Sequence, residues 1–131
     1  MTVELTMLAY SVALLFLLIL IQALAGVLAQ GLPEMAGSRD NLAEPKPFQA
    51  RTKRIVDNHR EGLALFAPLV LIAAVAHVSN QATVLGAQLF FYARVVHAVL
   101  YLTGVAWVRP LAWGAGIVGT VMVFAALFEI A

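Results

Sequence analysis

Four long apolar segments dominate this 131-residue chain, and each is about as long as a lipid bilayer is thick. The hydrocarbon core of a bilayer requires roughly 20 apolar residues in a helix, which pairs its own backbone polar groups. Hydrophobic residues make up 63% of the chain and charged residues 11%, whereas soluble domains average about half and about a quarter. We therefore expect an all-α integral membrane protein, a left-handed bundle of four transmembrane helices at about 5–29, 49–78, 83–107 and 111–130.

The ends of these helices are predicted from residues that favour turns. The first apolar run follows the acidic sequence MTVE instead of basic residues, so we interpret it as a retained helix and not as a signal peptide. A linker rich in glycine and proline, from Gly31 to Pro47, precedes the second helix, which Pro68 is expected to kink. Because no internal repeat divides the chain, residues 1–131 are expected to form a single domain.

Basic residues are concentrated in two of the three predicted loops. Arg39 and Lys46 lie in the first loop, which a basic cluster at 51–60 borders, and Arg109 lies in the third. The second loop and both termini contain no lysine or arginine. The positive-inside rule therefore predicts that the first and third loops are cytoplasmic and that both termini face the opposite side. The small size and the short loops favour a bacterial inner membrane.

The segment RTKRIVDNHRE carries seven ionisable side chains into the start of the second apolar run. A helix turns about 100° per residue, so one polar stripe within an arc of roughly 80° is formed by Arg51, Arg54, Asn58 and Glu61. The same geometry turns His59 and Arg60 away from this stripe, and we expect both to contact solvent or lipid headgroups.

A second polar face is predicted on the third helix, where Arg94, His97 and Tyr101 fall within about 60° of one another. An arginine at bilayer depth costs several kcal/mol, so Arg94 is expected to face the bundle interior, with Glu61 as its partner. One such ion pair could serve packing alone. Two polar faces together with Arg109 exceed that need, and their cations and amide favour a binding site for a carboxylate-bearing anion.

These motifs resemble those of a known family of membrane proteins. The spacing R-x-x-R-x-x-x-N-x-x-E in RTKRIVDNHRE, the later segment ARVVHAVLY and the following VRP are similar to the membrane-associated proteins in eicosanoid and glutathione metabolism, the MAPEG family. The resemblance covers about Arg51 to Arg109 by motif and the whole chain by length and number of spans. It implies a subunit of four helices that assembles as a homotrimer, with glutathione held between neighbouring subunits near the cytoplasmic face.

The resemblance also implies a role for each polar residue. Carried over by motif position, the residues that contact glutathione would be Arg51, Arg54, Asn58, Glu61, Arg94, His97 and Tyr101. Arg109 matches an arginine that approaches the glutathione sulfur in enzymes of the family, where a cation favours the thiolate. The implied function is a glutathione-dependent transferase or peroxidase that acts on lipophilic electrophiles from the bilayer, with Arg109 as its catalytic residue.

Two other functions are compatible with parts of the sequence. A non-catalytic member of the family would use the same polar faces to bind a small anionic metabolite or a lipid headgroup. An exporter of cationic drugs is disfavoured, because it needs a carboxylate embedded in the first span, where the only acid, Glu4, lies at the extreme end. The chain has no cysteine, so no disulfide and no cysteine-based metal site is expected. Neither a metal ion nor nucleic acid is predicted as a partner.

Overall fold

The computed structural model describes residues 1–129, and this part of the chain is helical, with no strand. The all-α fold class is confirmed. The helices are α1 (Val3–Gln30), α2 (Leu32–Ala36), α3 (Pro47–Val75), α4 (Gln81–Thr103) and α5 (Arg109–Glu129). The short helix α2 lies where the sequence predicted only a loop, and the predicted helix end at Ile130 lies outside the described residues.

Three of these helices, α1, α4 and α5, are long and apolar enough to cross a membrane. Many large apolar side chains on them point outward, among them Phe16, Leu24 and Leu28 on α1. Lipid solvates such side chains, whereas water would not. Helix α3 has 29 residues, but its first half carries all of the helix's aspartate, glutamate, lysine and arginine residues, so the same criterion does not include it.

Local side-chain contacts explain where the helices begin and end. Thr2 caps α1 by accepting a hydrogen bond from the backbone of Leu5, at 3.2 Å, and Asn80 forms a capping box with Thr83 at the start of α4. Helix α4 ends at Thr103 and is followed by Gly104, whose φ of 79° suits glycine and terminates the helix. Apolar residues continue beyond Gly104, and for this reason hydropathy predicts a helix that extends to residue 107.

Helices α4 and α5 form the closest pair in the bundle, and glycine makes this possible. A Cβ atom at Gly119 would lie 2.5 Å from the carbonyl oxygen of Gly86 and 2.8 Å from the backbone nitrogen of Phe90. Small residues at a helix crossing allow this approach in membrane bundles. The ring of Phe90 stacks on Phe66 of α3 with 3.9 Å between ring centres, and both rings are fully buried.

Candidate functional site

Residues of α3, α4 and α5 line an open cavity of about 320 Å³ at the surface of the bundle, which we call the Arg109 cavity. Its polar lining consists of Asn58 from α3, His97 and Tyr101 from α4, and Arg109 at the start of α5, with Trp113 one turn further along α5. The prediction that the polar faces of the second and third predicted helices line a shared space therefore holds for Asn58, His97 and Tyr101.

Arg109 lies over an aromatic pair. Its guanidinium carbon is 4.4 Å from the ring centre of Tyr101, and the ring of His97 meets Tyr101 edge-on at 5.1 Å. A cation at this distance from an aromatic face is held electrostatically. The Nε atom of Arg109 and the Nδ1 atom of His97 are buried and have no hydrogen-bond partner among residues 1–129. Two residues that line the cavity therefore each have a buried nitrogen without a partner in the described part of the chain.

The start of α5 adds to the positive character of this cavity. The first turn of a helix carries a partial positive charge. In α5 this charge is not accompanied by a set of free N–H groups, because Leu111 and Ala112 donate to the carbonyl oxygen of Val108 and proline at 110 has no N–H. Helix α5 begins at Arg109 and has Pro110 next in its first turn, a position that proline favours. The charge of Arg109 and the weaker positive end of the helix dipole thus have the same sign at one end of the cavity.

A second cavity of about 290 Å³, the Arg94 cavity, lies beside the first. Asn58 and Trp113 line both cavities and so form their common wall. The polar residues that also line the Arg94 cavity are Glu61 and Arg94, and the large apolar ones are Leu65, Phe90 and Ile117. Two glycines, Gly62 and Gly116, have no side chain to fill the space.

The predicted ion pair between Glu61 and Arg94 is wrong. Arg94 is buried, as expected, but its Nη2 donates to Asn58 Oδ1 at 2.6 Å and its Nε donates to His59 Nδ1 at 3.3 Å. Glu61 is exposed, and the ion pairs found among the described residues are those of Asp57 with Lys53 and Arg60. The amide of Asn58 and the imidazole of His59, which precede Glu61 on the same helix, are thus the acceptors for Arg94.

The predicted outward position of His59 is also wrong, because its side chain is only 1% exposed. Its Nε2 lies 2.8 Å from the carbonyl oxygen of Ser11 on α1. A carbonyl can only accept, so Nε2 carries the proton and Nδ1 is the acceptor for Arg94. Helix α1 packs on this side of α3, which helix periodicity alone could not reveal. Arg60, in contrast, is exposed as predicted.

Arg51 and Arg54 lie outside both cavities. Arg51 is half-buried beside the end of α4, where a Cβ at Gly104 would lie 3.3 Å from Nη1, and its Nε has no partner among residues 1–129. Arg54 is exposed and lines a third cavity, of about 260 Å³, together with Gln22, Met35 and Gln49. The four residues of the predicted stripe therefore do not line one common space, because Arg51 and Arg54 are separated from Asn58 and Glu61. A role of Arg51 and Arg54 in glutathione binding stays a prediction.

The sequence patterns did not predict the positions of two further residues, Trp113 and Glu4. Trp113 lines both cavities, although nothing in the sequence except its distance of four residues from Arg109 points to this position. Glu4 is 2% exposed and accepts hydrogen bonds from Ser79 and Thr83, which join the start of α1 to the start of α4. One sequence feature could have indicated a structural role for Glu4, because it lies in the first turn of a helix, where an acidic residue is favourable.

Comparison with known proteins gives one match. A sequence profile described as the MAPEG family matches residues 7–128, nearly the entire chain. No curated protein and no solved structure matches the chain.

Proposed function

Because the chain belongs to the MAPEG family and is an integral membrane protein, we propose that it is a glutathione-dependent transferase or peroxidase acting on lipophilic electrophiles. The observation that carries this proposal is the Arg109 cavity. There, buried nitrogens of His97 and Arg109 that have no partner among the described residues lie beside Asn58 and Tyr101.

The chemistry of these side chains fits glutathione, which has two carboxylates, one ammonium group and a thiol. Arg109 and the N-terminus of α5 supply positive charge for an anionic group. Asn58, between the two cavities, can offer its amide N–H groups to the peptide carbonyls, since its oxygen accepts from Arg94. Glu61 lines the adjacent Arg94 cavity, so it would contact the ammonium group of a glutathione that extends into that cavity. His97 supplies a ring nitrogen that can donate or accept.

Arg109 is proposed to act on the thiol of the substrate. A cation close to a sulfur atom lowers the free energy of the thiolate, which is the nucleophilic form. The guanidinium is held against the ring of Tyr101 and Arg109 is half-buried, so its charge is partly shielded from water. In conjugation, the sulfur forms a bond to an electrophilic carbon, and the leaving group departs with the electron pair of the bond that breaks.

We also propose four spans, with α3 as the remaining one. Its second half is apolar, and its charged first half would then lie at the membrane surface, with Asn58 and His59 turned inward. In this arrangement the first and third loops are cytoplasmic, the termini are on the other side, and the membrane is a bacterial inner membrane. A homotrimer would allow Arg51 and Arg54 of one subunit to approach glutathione bound at a neighbouring subunit.

The test is to measure glutathione conjugation and hydroperoxide reduction by the protein purified in detergent, with glutathione binding followed by calorimetry. An Arg109→Ala variant should lose most turnover but keep most of its glutathione affinity, because several other groups contact the tripeptide. Arg60→Ala removes an exposed arginine outside both cavities and should change neither quantity. Absence of both turnover and glutathione binding would contradict the proposal, and binding without turnover would favour the non-catalytic alternative.

A further inference from the structure

The third cavity, of about 260 Å³, is lined by residues of α1, α2, the linker after α2 and the first half of α3. We propose that this cavity, which we call the Gln22 cavity, binds the headgroup of an anionic phospholipid. The inference goes beyond the proposed function and is independent of glutathione. It rests on Gln22, Gln49 and Lys53, whereas Arg54, which also lines the cavity, keeps its proposed role at a neighbouring subunit.

The linker that borders this cavity is held by hydrogen bonds, although it is rich in glycine and proline. The side-chain nitrogen of Gln30, the last residue of α1, donates to the carbonyl oxygen of Ala43 at 3.0 Å, and its oxygen accepts from the backbone nitrogen of Ala43 at 3.1 Å. The same nitrogen donates to Oε1 of Gln49 at 3.3 Å. These bonds join α1, the linker and α3, and Pro45 of the linker lines the cavity close to them. The cavity is therefore a built feature of this end of the bundle.

Two amide side chains that line the cavity have hydrogen-bonding capacity left. Gln22 on α1 is half-buried and takes part in no side-chain hydrogen bond within residues 1–129. The oxygen of Gln49 accepts from Gln30, so the Nε2 atom of Gln49 remains as a donor. This nitrogen would lie 3.9 Å from a Cβ at Gly26, which also lines the cavity. Amide N–H groups suit the phosphate and ester oxygens of a phospholipid.

The charge of the lining favours an anion. Lys53 and Arg54 line the cavity, and none of the other described residues that line it is charged. Lys53 forms an ion pair with Asp57 at 2.8 Å, but the two side chains are 68% and 47% exposed. An exposed ion pair contributes little to stability. A phosphate group can therefore draw the ammonium of Lys53 towards the cavity at small cost.

The depth of the cavity favours a lipid over a solute in water. Gln22 lies about 27 Å along α1 from Glu4, at a rise of about 1.5 Å per residue, and the hydrocarbon core of a bilayer is roughly 30 Å thick. With Glu4 at one face of the bilayer, Gln22 lies at the other, level with the headgroups. In the proposed orientation this face is cytoplasmic, where basic pockets between helices bind anionic headgroups.

Apolar surface surrounds the polar groups of the cavity and continues towards the bilayer. The uncharged part of the lining includes Gly26, Met35, Pro45 and Ala50, against which the glycerol of a lipid would pack. Ile19 lies one turn nearer the bilayer centre, within about 60° of Gln22 around the helix, and is 40% exposed. An acyl chain of the bound lipid would contact it. The headgroup would thus occupy the cavity while the acyl chains stay in the bilayer.

Native mass spectrometry of the detergent-purified protein tests the inference, with dimyristoyl phosphatidylglycerol as probe and dimyristoyl phosphatidylcholine for comparison. One phosphatidylglycerol per subunit should bind saturably and about fivefold more tightly than phosphatidylcholine, the factor for one basic residue near an anionic surface. Lys53→Gln should remove most of this preference. Lys46→Gln removes the same charge from an exposed position outside the cavity and should keep it. Equal affinities for the two lipids, or equal losses in the two variants, would overturn the assignment.

Filling the cavity separates a headgroup site from general electrostatic attraction. Ala50→Leu adds bulk within the cavity, and Ala23→Leu, the matched control, adds it at an exposed position of α1 outside the cavity. Ala50→Leu should weaken phosphatidylglycerol binding about fivefold or more, Gln22→Leu should weaken it about fivefold through the lost hydrogen bond, and Ala23→Leu should not change it. Unchanged affinity in both cavity variants would contradict the inference.

A last comparison separates a lipid from a soluble ligand. Glycerol phosphate, which has the phosphate but no acyl chains, should compete with phosphatidylglycerol only at a concentration at least about a hundredfold higher, because it lacks the apolar contacts. Competition at equal concentration would show a site for a soluble phosphate and overturn the lipid assignment. None of these readouts involves glutathione, so failure of this inference and failure of the proposed function are distinguishable.

Discussion

Replacement of His59 by phenylalanine tests the buried network that orients Arg94. His59 joins three helices, because it lies on α3, donates to the carbonyl of Ser11 on α1 and accepts from Arg94 on α4. Phenylalanine is also a planar ring but is larger by roughly one methylene group, so part of any lost stability at this fully buried site comes from packing. Both hydrogen bonds are lost, and the Nε atom of Arg94 is left facing a ring without an acceptor.

The expected loss of stability follows from these two bonds. Hydrogen bonds between helices in membrane proteins contribute about 0.6 kcal/mol on average and about 1.7 kcal/mol at most. Loss of two therefore predicts a decrease of about 1–3 kcal/mol in the free energy of unfolding. The upper part of that range is favoured, because a buried charged group that loses a partner costs more than a neutral one.

Unfolding in mixed detergent micelles, followed by circular dichroism, measures this free energy. Arg60→Ala on the same helix is the control, and as an exposed substitution it should change stability by less than about 0.5 kcal/mol. His59→Gln should recover part of the loss, because an amide can both donate to Ser11 and accept from Arg94. Wild-type stability in His59→Phe would refute the account of this network.

Further predictions concern the helix contacts away from the cavities. Gly119→Ala should prevent the close approach of α5 to Gly86 and abolish stable folding in detergent, whereas Gly114→Ala, with no atom within 4 Å of the added Cβ, should leave the melting temperature unchanged or raise it. Equal effects of the two variants would contradict the described crossing. Glu4→Leu should destabilise the protein by about 1–3 kcal/mol in the same unfolding assay, because Ser79 and Thr83 lose a charged acceptor; unchanged stability would show that this contact contributes nothing.

The helix positions could be predicted closely from the sequence, since apolar length and turn residues determine them. The errors have local causes. The third predicted helix ends at Thr103 because Gly104 adopts a left-handed conformation, although apolar residues continue beyond it. The second ends at Val75, just before His77, which has a φ of 56°. Periodicity reports which residues share a face and does not report such changes of backbone conformation.

The candidate site could be predicted in part for the same reason. Asn58, His97 and Tyr101 share a cavity because helical periodicity places each on an inward face. The partner of Arg94 could not be predicted from charge, because the distance between side chains on different helices depends on their relative depth and rotation. His59 was misplaced because its surroundings come from α1, which is distant in sequence but adjacent in the fold.

The most direct test of the central claim is a structure of the protein in lipid nanodiscs with glutathione bound. The account predicts glutathione in the Arg109 cavity, its sulfur next to the guanidinium of Arg109, and contacts from Asn58 and Tyr101. Glutathione bound elsewhere, or Asn58 and Tyr101 packed against lipid acyl chains with no ligand between them, would contradict it.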